Sequence, residues 1–141
     1  MSNVRRYSLM IGNEKLQKCK KITTSNIKTK PDDNEMIISF NDLIKCGWNN
    51  LDNSTIMLLR LLDKFHLDSI ALAGFDGYDV NIKSNYATNN LELSNVRDNP
   101  MELNEEIHSM LEDYKATRNS HTKIQFITPS RFSEIFDEGI Q

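Results

Sequence analysis

The sequence predicts a layered α/β fold with a mostly parallel sheet of about four strands and helices on both faces. Three observations predict it. Helical and strand-like segments alternate along the chain in the order α-β-β-α-β-loop-α-β-α. Residues 69–75, Ser-Ile-Ala-Leu-Ala-Gly-Phe, form an apolar run that does not alternate with polar residues. Such a run suits a central strand covered on both faces. A strongly apolar helical segment also lies between two strand candidates, 36–40 and 69–75, where a right-handed crossover into one sheet is expected.

In chain order, residues 3–17 read as a weakly periodic helix with Val4, Tyr7, Ile11 and Leu16 as its apolar positions. Residues 19–25 are rich in β-branched side chains and read as a short strand. The polar stretch 26–34 contains Pro31 and reads as a loop. Met36-Ile37-Ile38-Ser39-Phe40 is a second strand, and 41–46 can form one helical turn that stops at Gly47. Asp52 or Asn53 can cap the helix that carries Ile56, Met57, Leu58, Leu59, Leu61, Leu62 and Phe65. That helix is apolar nearly all round, so it should be buried on more than one side.

Asp79–Val96 has no clear period and contains Asn81, Asn85, Asn89, Asn90 and Asn95. It reads as a long excursion. Asp98-Asn99-Pro100 then signals a helix start, with proline at the first helical position. Leu103, Ile107, Met110, Leu111 and Tyr114 give that helix one apolar stripe. Residues 123–129 are a last strand stopped by Pro129. Ser130 can cap a short terminal helix with Phe132, Ile135 and Phe136.

With 141 residues the chain is expected to form one domain, 1–141, around one core. Its 38% hydrophobic and 26% charged content is ordinary for a globular protein. A net charge of −3 argues against a general nucleic-acid binder. The lysines and arginines in the first 30 residues read as a solvated surface. No apolar run approaches the ~20 residues that span a bilayer. The first residues, Met1-Ser2-Asn3-Val4-Arg5-Arg6, lack the apolar stretch of a signal peptide. Cys19 and Cys46 are too few for a disulfide scaffold, and a cytoplasmic protein with both thiols reduced is expected. No cofactor and no metal is expected.

In open α/β sheets ligands collect at the carboxyl ends of the strands. That rule selects Thr24–Ile27, Gly74–Tyr78 and Thr128–Arg131. Within Gly74-Phe75-Asp76-Gly77-Tyr78, the glycines permit positive φ or close backbone approach. Asp76 can accept hydrogen bonds from a ribose or sugar hydroxyl, or it can bond its own backbone in a tight turn. Asn53 and Ser54 open a helix whose free N–H groups and dipole can hold an anion; capping is the simpler role for them. Thr128 and Ser130 complete the set of ligand-binding candidates. Neither GxGxxG nor GxxxxGK[ST] occurs.

No catalytic residue stands out. His66, His108 and His121 are scattered without metal-ligand or triad spacing. Glu102, Glu105, Glu106, Glu112 and Asp113 read as the solvated face of one helix. Trp48 reads as a packing residue.

Several segments occur together in a familiar order: Ser2–Tyr7, Thr24–Ile27, Asp52–Leu59, Ile70–Tyr78, Asn85-Tyr86 and Phe126–Ser130. The set resembles the C-terminal, Rossmann-like domain of bacterial HMG-CoA-lyase-like aldolases, the 4-hydroxy-2-oxovalerate aldolase-like proteins, often encoded in surface-polysaccharide loci. The resemblance spans nearly the whole chain. It implies a partial Rossmann-like domain that lacks the aldolase barrel, its metal site and its catalytic residues. It also implies an aldolase barrel as a partner, while an exposed parallel-strand edge on a truncated sheet gives a physical reason to pair with a second copy of the chain.

A more distant likeness is to bacterial sialyltransferases of capsule and lipooligosaccharide loci. In those proteins the helix start and strand-end loop bind a nucleotide sugar. Here Asn53-Ser54-Thr55 lacks their helix-start glycine, and no histidine lies between Tyr78 and His108. The function expected is therefore an accessory, non-catalytic domain that binds a nucleotide or sugar-acid ligand in surface-polysaccharide metabolism. The alternatives are an interaction or dimerisation domain and a sialyltransferase-like glycosyltransferase.

Overall fold

The computed structural model describes residues 3–29, 33–50, 52–79, 98–119 and 121–137. The chain divides into two compact units, Met1–Lys45 and Cys46–Gln141. Four strands are present among the described residues, all parallel, in two separate two-stranded sheets.

In the first unit, helix α1 spans Val4–Ile11 and helix α2 spans Glu14–Gln17. The single helix expected over 3–17 is broken at Gly12-Asn13. The cause is a second cap: the Asn13 side chain accepts from the Lys15 N–H at 3.0 Å and starts a new helix. Asn3 caps α1 in the same way through the Arg6 N–H. Strand β1, Lys21–Thr24, pairs with strand β2, Glu35–Ile38, in the register Lys21↔Glu35 to Thr24↔Ile38. Residues 41–46 make a hydrogen-bonded turn: Leu43 and Ile44 both donate to the Phe40 carbonyl. Gly47 follows with φ +112°.

In the second unit, helix α3 spans Ser54–Leu62 and is capped by Asn53, whose side chain accepts from the Thr55 N–H at 2.8 Å. Ile56, Met57, Leu59 and Leu61 are buried over a wide arc, while Leu58 is exposed. Strand β3, Ser69–Leu72, pairs with strand β4, Lys123–Phe126. Helix α4, Pro100–Thr117, lies between them in sequence and has proline in its first turn, as expected. The parallel partner of β3 is thus reached through α4. The expected crossover, from 36–40 through α3 into one sheet with 69–75, is corrected: β2 pairs with β1, and β3 pairs with β4.

The covering of β3 also differs from expectation. Ile70 is buried, but Ser69, Ala71 and Ala73 are exposed, so one face of the strand is open. Its neighbour explains this. Lys123-Ile124-Gln125-Phe126 alternates, and the register sets Ile124 beside Ile70 and Gln125 beside Ala71. The apolar run in β3 owes its lack of alternation to alanine, which tolerates either face.

The buried face packs on α4 and on the segment after β4. Ile56, Leu59, Ile107, Leu111, Phe132 and Phe136 belong to this core. Each fully buried side chain of this size contributes roughly 1.5–3 kcal/mol. Tyr114 is 1% exposed and donates to Asp63 Oδ1 at 2.8 Å. Burial, and then the Asp63 carboxylate, push its pKa well above the ordinary phenol value. Trp48 is half-buried and packs against this core. The expected terminal helix is a 3-10 turn, Ser133–Ile135. Residues 80–97, most of the expected excursion, lie outside the described residues.

Candidate functional site

Because β3 and β4 are parallel, their carboxyl ends share one edge, and two loops leave it side by side. The first runs from Ala73 to Asp79 and the second from Ile127 to Arg131. The two loops are laced together. Thr128 Oγ1 accepts from the Gly74 N–H at 2.9 Å and donates to Asp76 Oδ1 at 3.3 Å. Ser130 Oγ donates to the Phe75 carbonyl at 2.7 Å and accepts from the Phe132 N–H. Arg131 donates twice to the Asp76 carbonyl, from its backbone N–H at 3.4 Å and from Nε at 3.3 Å.

The glycines have distinct reasons. Gly74 has φ +67°, and Gly77 has φ +88°. An added Cβ would meet nothing within 4 Å at Gly74. At Gly77 it would fall 2.5 Å from Arg131 Cδ and 2.9 Å from Asn104 Oδ1. Gly77 is therefore a close-approach position as well as a turn.

Six of the eight expected site residues, Gly74, Asp76, Gly77, Tyr78, Thr128 and Ser130, are brought together at this edge. Most of their polar groups are spent internally. The Gly74 N–H and both hydroxyls serve the lacing. The Tyr78 N–H and carbonyl are both held by one side chain, Asn104, at 2.8 and 2.7 Å. The exposed Asp76 carboxylate, with one hydroxyl bond on Oδ1 and none on Oδ2 among the described residues, is the acceptor best left for a ligand. Asn53 and Ser54 lie at the start of α3, where the Asn53 side chain is used as a cap.

Two residues of the edge were not singled out from the sequence. Asn104 is 6% exposed. Its signal was legible: Asn104, Ile107 and Leu111 share the helical spacing of the apolar stripe, so a polar side chain sat on the core face. Arg131 falls within the strand-end segment Thr128–Arg131. What gives it a role, its packing against Gly77, is a tertiary contact.

A groove of about 400 Å³ adjoins the second loop, lined by Asn104, Glu105, His108, Ser109, Arg131 and Phe132. His108 is not a plain surface residue: Nδ1 is 3.6 Å from Glu112 and Nε2 is 4.0 Å from Glu134. Glu106 also departs from the solvated face expected for it. It accepts from the backbone N–H groups of Asn49 and Asn50 and from Asn50 Nδ2 at 2.6 Å, which fixes the 49–50 turn on α4. Among the described residues no group of three His, Cys, Asp or Glu side chains is placed to hold a metal ion. No described helix is long and apolar enough to cross a membrane.

Comparison adds no relative. No protein-family model, curated protein or solved structure matches the chain significantly.

Proposed function

We propose that the chain is an accessory, non-catalytic ligand-binding domain of the partial Rossmann-like kind, serving surface-polysaccharide metabolism beside an aldolase-like partner. Its ligand is a nucleotide or a sugar acid, held at the carboxyl edge of the β3–β4 pair. The carrying observation is the loop lacing, which holds an exposed Asp76 carboxylate at the strand end: Thr128 bonds the Gly74 N–H and Asp76 Oδ1, Ser130 bonds the Phe75 carbonyl, and Arg131 bonds the Asp76 carbonyl. A carboxylate in that position accepts paired hydroxyls of a sugar or ribose.

Calorimetric titration with CMP, UDP and a sialic-acid-type ligand tests this. Binding is expected, and Asp76→Ala weakens it about tenfold or more, the cost of leaving sugar hydroxyls unpaired. No binding at millimolar concentration, or an unchanged Kd in Asp76→Ala, contradicts the proposal.

One observation favours a second reading, an interaction or dimerisation domain. Ile22, Met36 and Ile37, on the β1–β2 pair, are all exposed, at 44%, 60% and 56%. Short strands that expose apolar side chains and an edge invite pairing with another chain. Light scattering separates the readings, since a monomer at every concentration rules out self-association.

A further inference from the structure

The groove beside Arg131 combines one arginine with acidic neighbours. Arg131 is fixed at its stem: Cδ lies where a Gly77 Cβ would be, and Nε donates to the Asp76 carbonyl. Among the described residues its two terminal guanidinium nitrogens have no hydrogen-bond or ion-pair partner. A guanidinium held by its Nε, with its outer nitrogens open, is suited to a bidentate oxyanion contact. His108 and Ser109 line the α4 side of the same groove, with the Ser109 hydroxyl donating to the Glu105 carbonyl and the buried Asn104 side chain held by Tyr78.

The surrounding charge is of the opposite sign. Glu105 lines the groove. Glu112 and Glu134 lie 3.6 and 4.0 Å from the His108 ring nitrogens. The groove thus holds one fixed cation and one lining carboxylate, Glu105, with two more carboxylates beside the lining His108. A ligand with a single negative charge gains the Arg131 contact at modest repulsive cost. A second negative charge finds no second arginine or lysine in the lining and adds repulsion from Glu105 and its acidic neighbours. The groove is shallow and open to solvent, about 400 Å³, and offers room for the acid end of a small ligand.

We infer that this groove binds the acid group of a monocarboxylic polyhydroxy acid, with Arg131 as the carboxylate-binding residue, and discriminates against phosphate dianions and nucleotides. This inference rests on the strand-end reading above and narrows its ligand to the sugar-acid class. Asp76 takes hydroxyls at the strand end, and Arg131 takes the acid in the adjoining groove.

A matched series of pyranoses tests it: D-glucose, D-glucuronate and D-glucose 6-phosphate, of charge 0, −1 and mostly −2 at pH 7.5. Affinities are read by NMR titration of the full chain at low ionic strength, where exposed charges are least screened. Glucuronate is expected to bind about fivefold or more tighter than either of the others. Arg131→Gln brings glucuronate down to the level of glucose. Arg131→Lys restores part of the difference, which excludes simple misfolding of the loop. Glu134→Gln improves glucose 6-phosphate binding more than glucuronate binding.

Glucose 6-phosphate binding as tightly as glucuronate overturns the inference. So does an Arg131→Gln protein that still prefers glucuronate. If the three sugars bind alike and Asp76→Ala abolishes all three, the inference fails while the strand-end reading stands. If none of them, nor any nucleotide, binds, both fail.

Discussion

Phe132→Ala is expected to destabilise the Cys46–Gln141 unit by about 3–5 kcal/mol, the usual cost of removing a buried phenylalanine ring. Phe132 is 1% exposed, and its ring centroid lies 5.3 Å from that of Phe75. It sits between the loop that carries Asp76 and the core on α4, so its loss creates a cavity and frees the loop together. Phe132→Leu keeps most of the apolar volume and should cost less than about 1.5 kcal/mol. Denaturant midpoints of the two variants check this. A cost below about 1 kcal/mol for the alanine variant contradicts the packing described, because no buried ring would then have been lost.

Gly77→Ala is the second large effect. Its Cβ would enter space filled by the Arg131 stem and by Asn104 Oδ1, at a φ of +88°. A residue with a Cβ pays roughly 1–2 kcal/mol for the left-handed region alone. Displacing Arg131 and breaking the Asn104 bonds to the Tyr78 N–H and carbonyl adds to this, for a total of about 2–4 kcal/mol. Ligand response should disappear with it, since both Asp76 and Arg131 are positioned through this contact. Gly12→Ala is the control. Gly12 has φ −76°, and its added Cβ would approach nothing nearer than 3.9 Å. That change should leave stability unaltered or raise it by about 0.4–1 kcal/mol. Equal effects at the two glycines contradict the close approach assigned to Gly77.

Local chemistry made much of this structure legible. Asn53 and Pro100 marked helix starts because capping and a missing N–H act within a few residues. The apolar stripe of α4 and the alternation of Lys123-Ile124-Gln125-Phe126 gave the buried faces directly. What the sequence concealed depends on partners. Ala71 and Ala73 suited either a covered or an open face, and only the register against Gln125 decided it. Strand pairing is equally non-local: nothing in residues 35–38 states that β2 joins β1 and leaves β3 to β4. Gly12-Asn13 is different: the break is local, made by the Asn13 cap, and reading 3–17 as one helix from its weak period passed over it.

At the site, the same division holds. Gly74, Asp76, Gly77 and Ser130 were chosen because parallel strands end on one edge, and the structure does gather them there. The two glycines carry the positive φ expected of such a turn. Arg131 and Asn104 acquire their roles through contacts that span many residues of sequence. Asn104 could have been found as a polar residue on an apolar helical face. Glu106 could not: its neighbours on α4 are equally acidic, and only the approach of the 49–50 backbone distinguishes it.

The central claim is that the laced loops after β3 and β4 form the ligand site. The most direct measurement maps backbone amide shifts of the full chain while a sugar acid or a nucleotide is titrated in. Saturable shifts concentrated at Gly74, Asp76, Gly77, Tyr78, Thr128 and Ser130, and lost in Asp76→Ala, are what the geometry predicts. Saturable shifts elsewhere in the chain with these six amides unmoved, or no shifts at millimolar ligand, would contradict it.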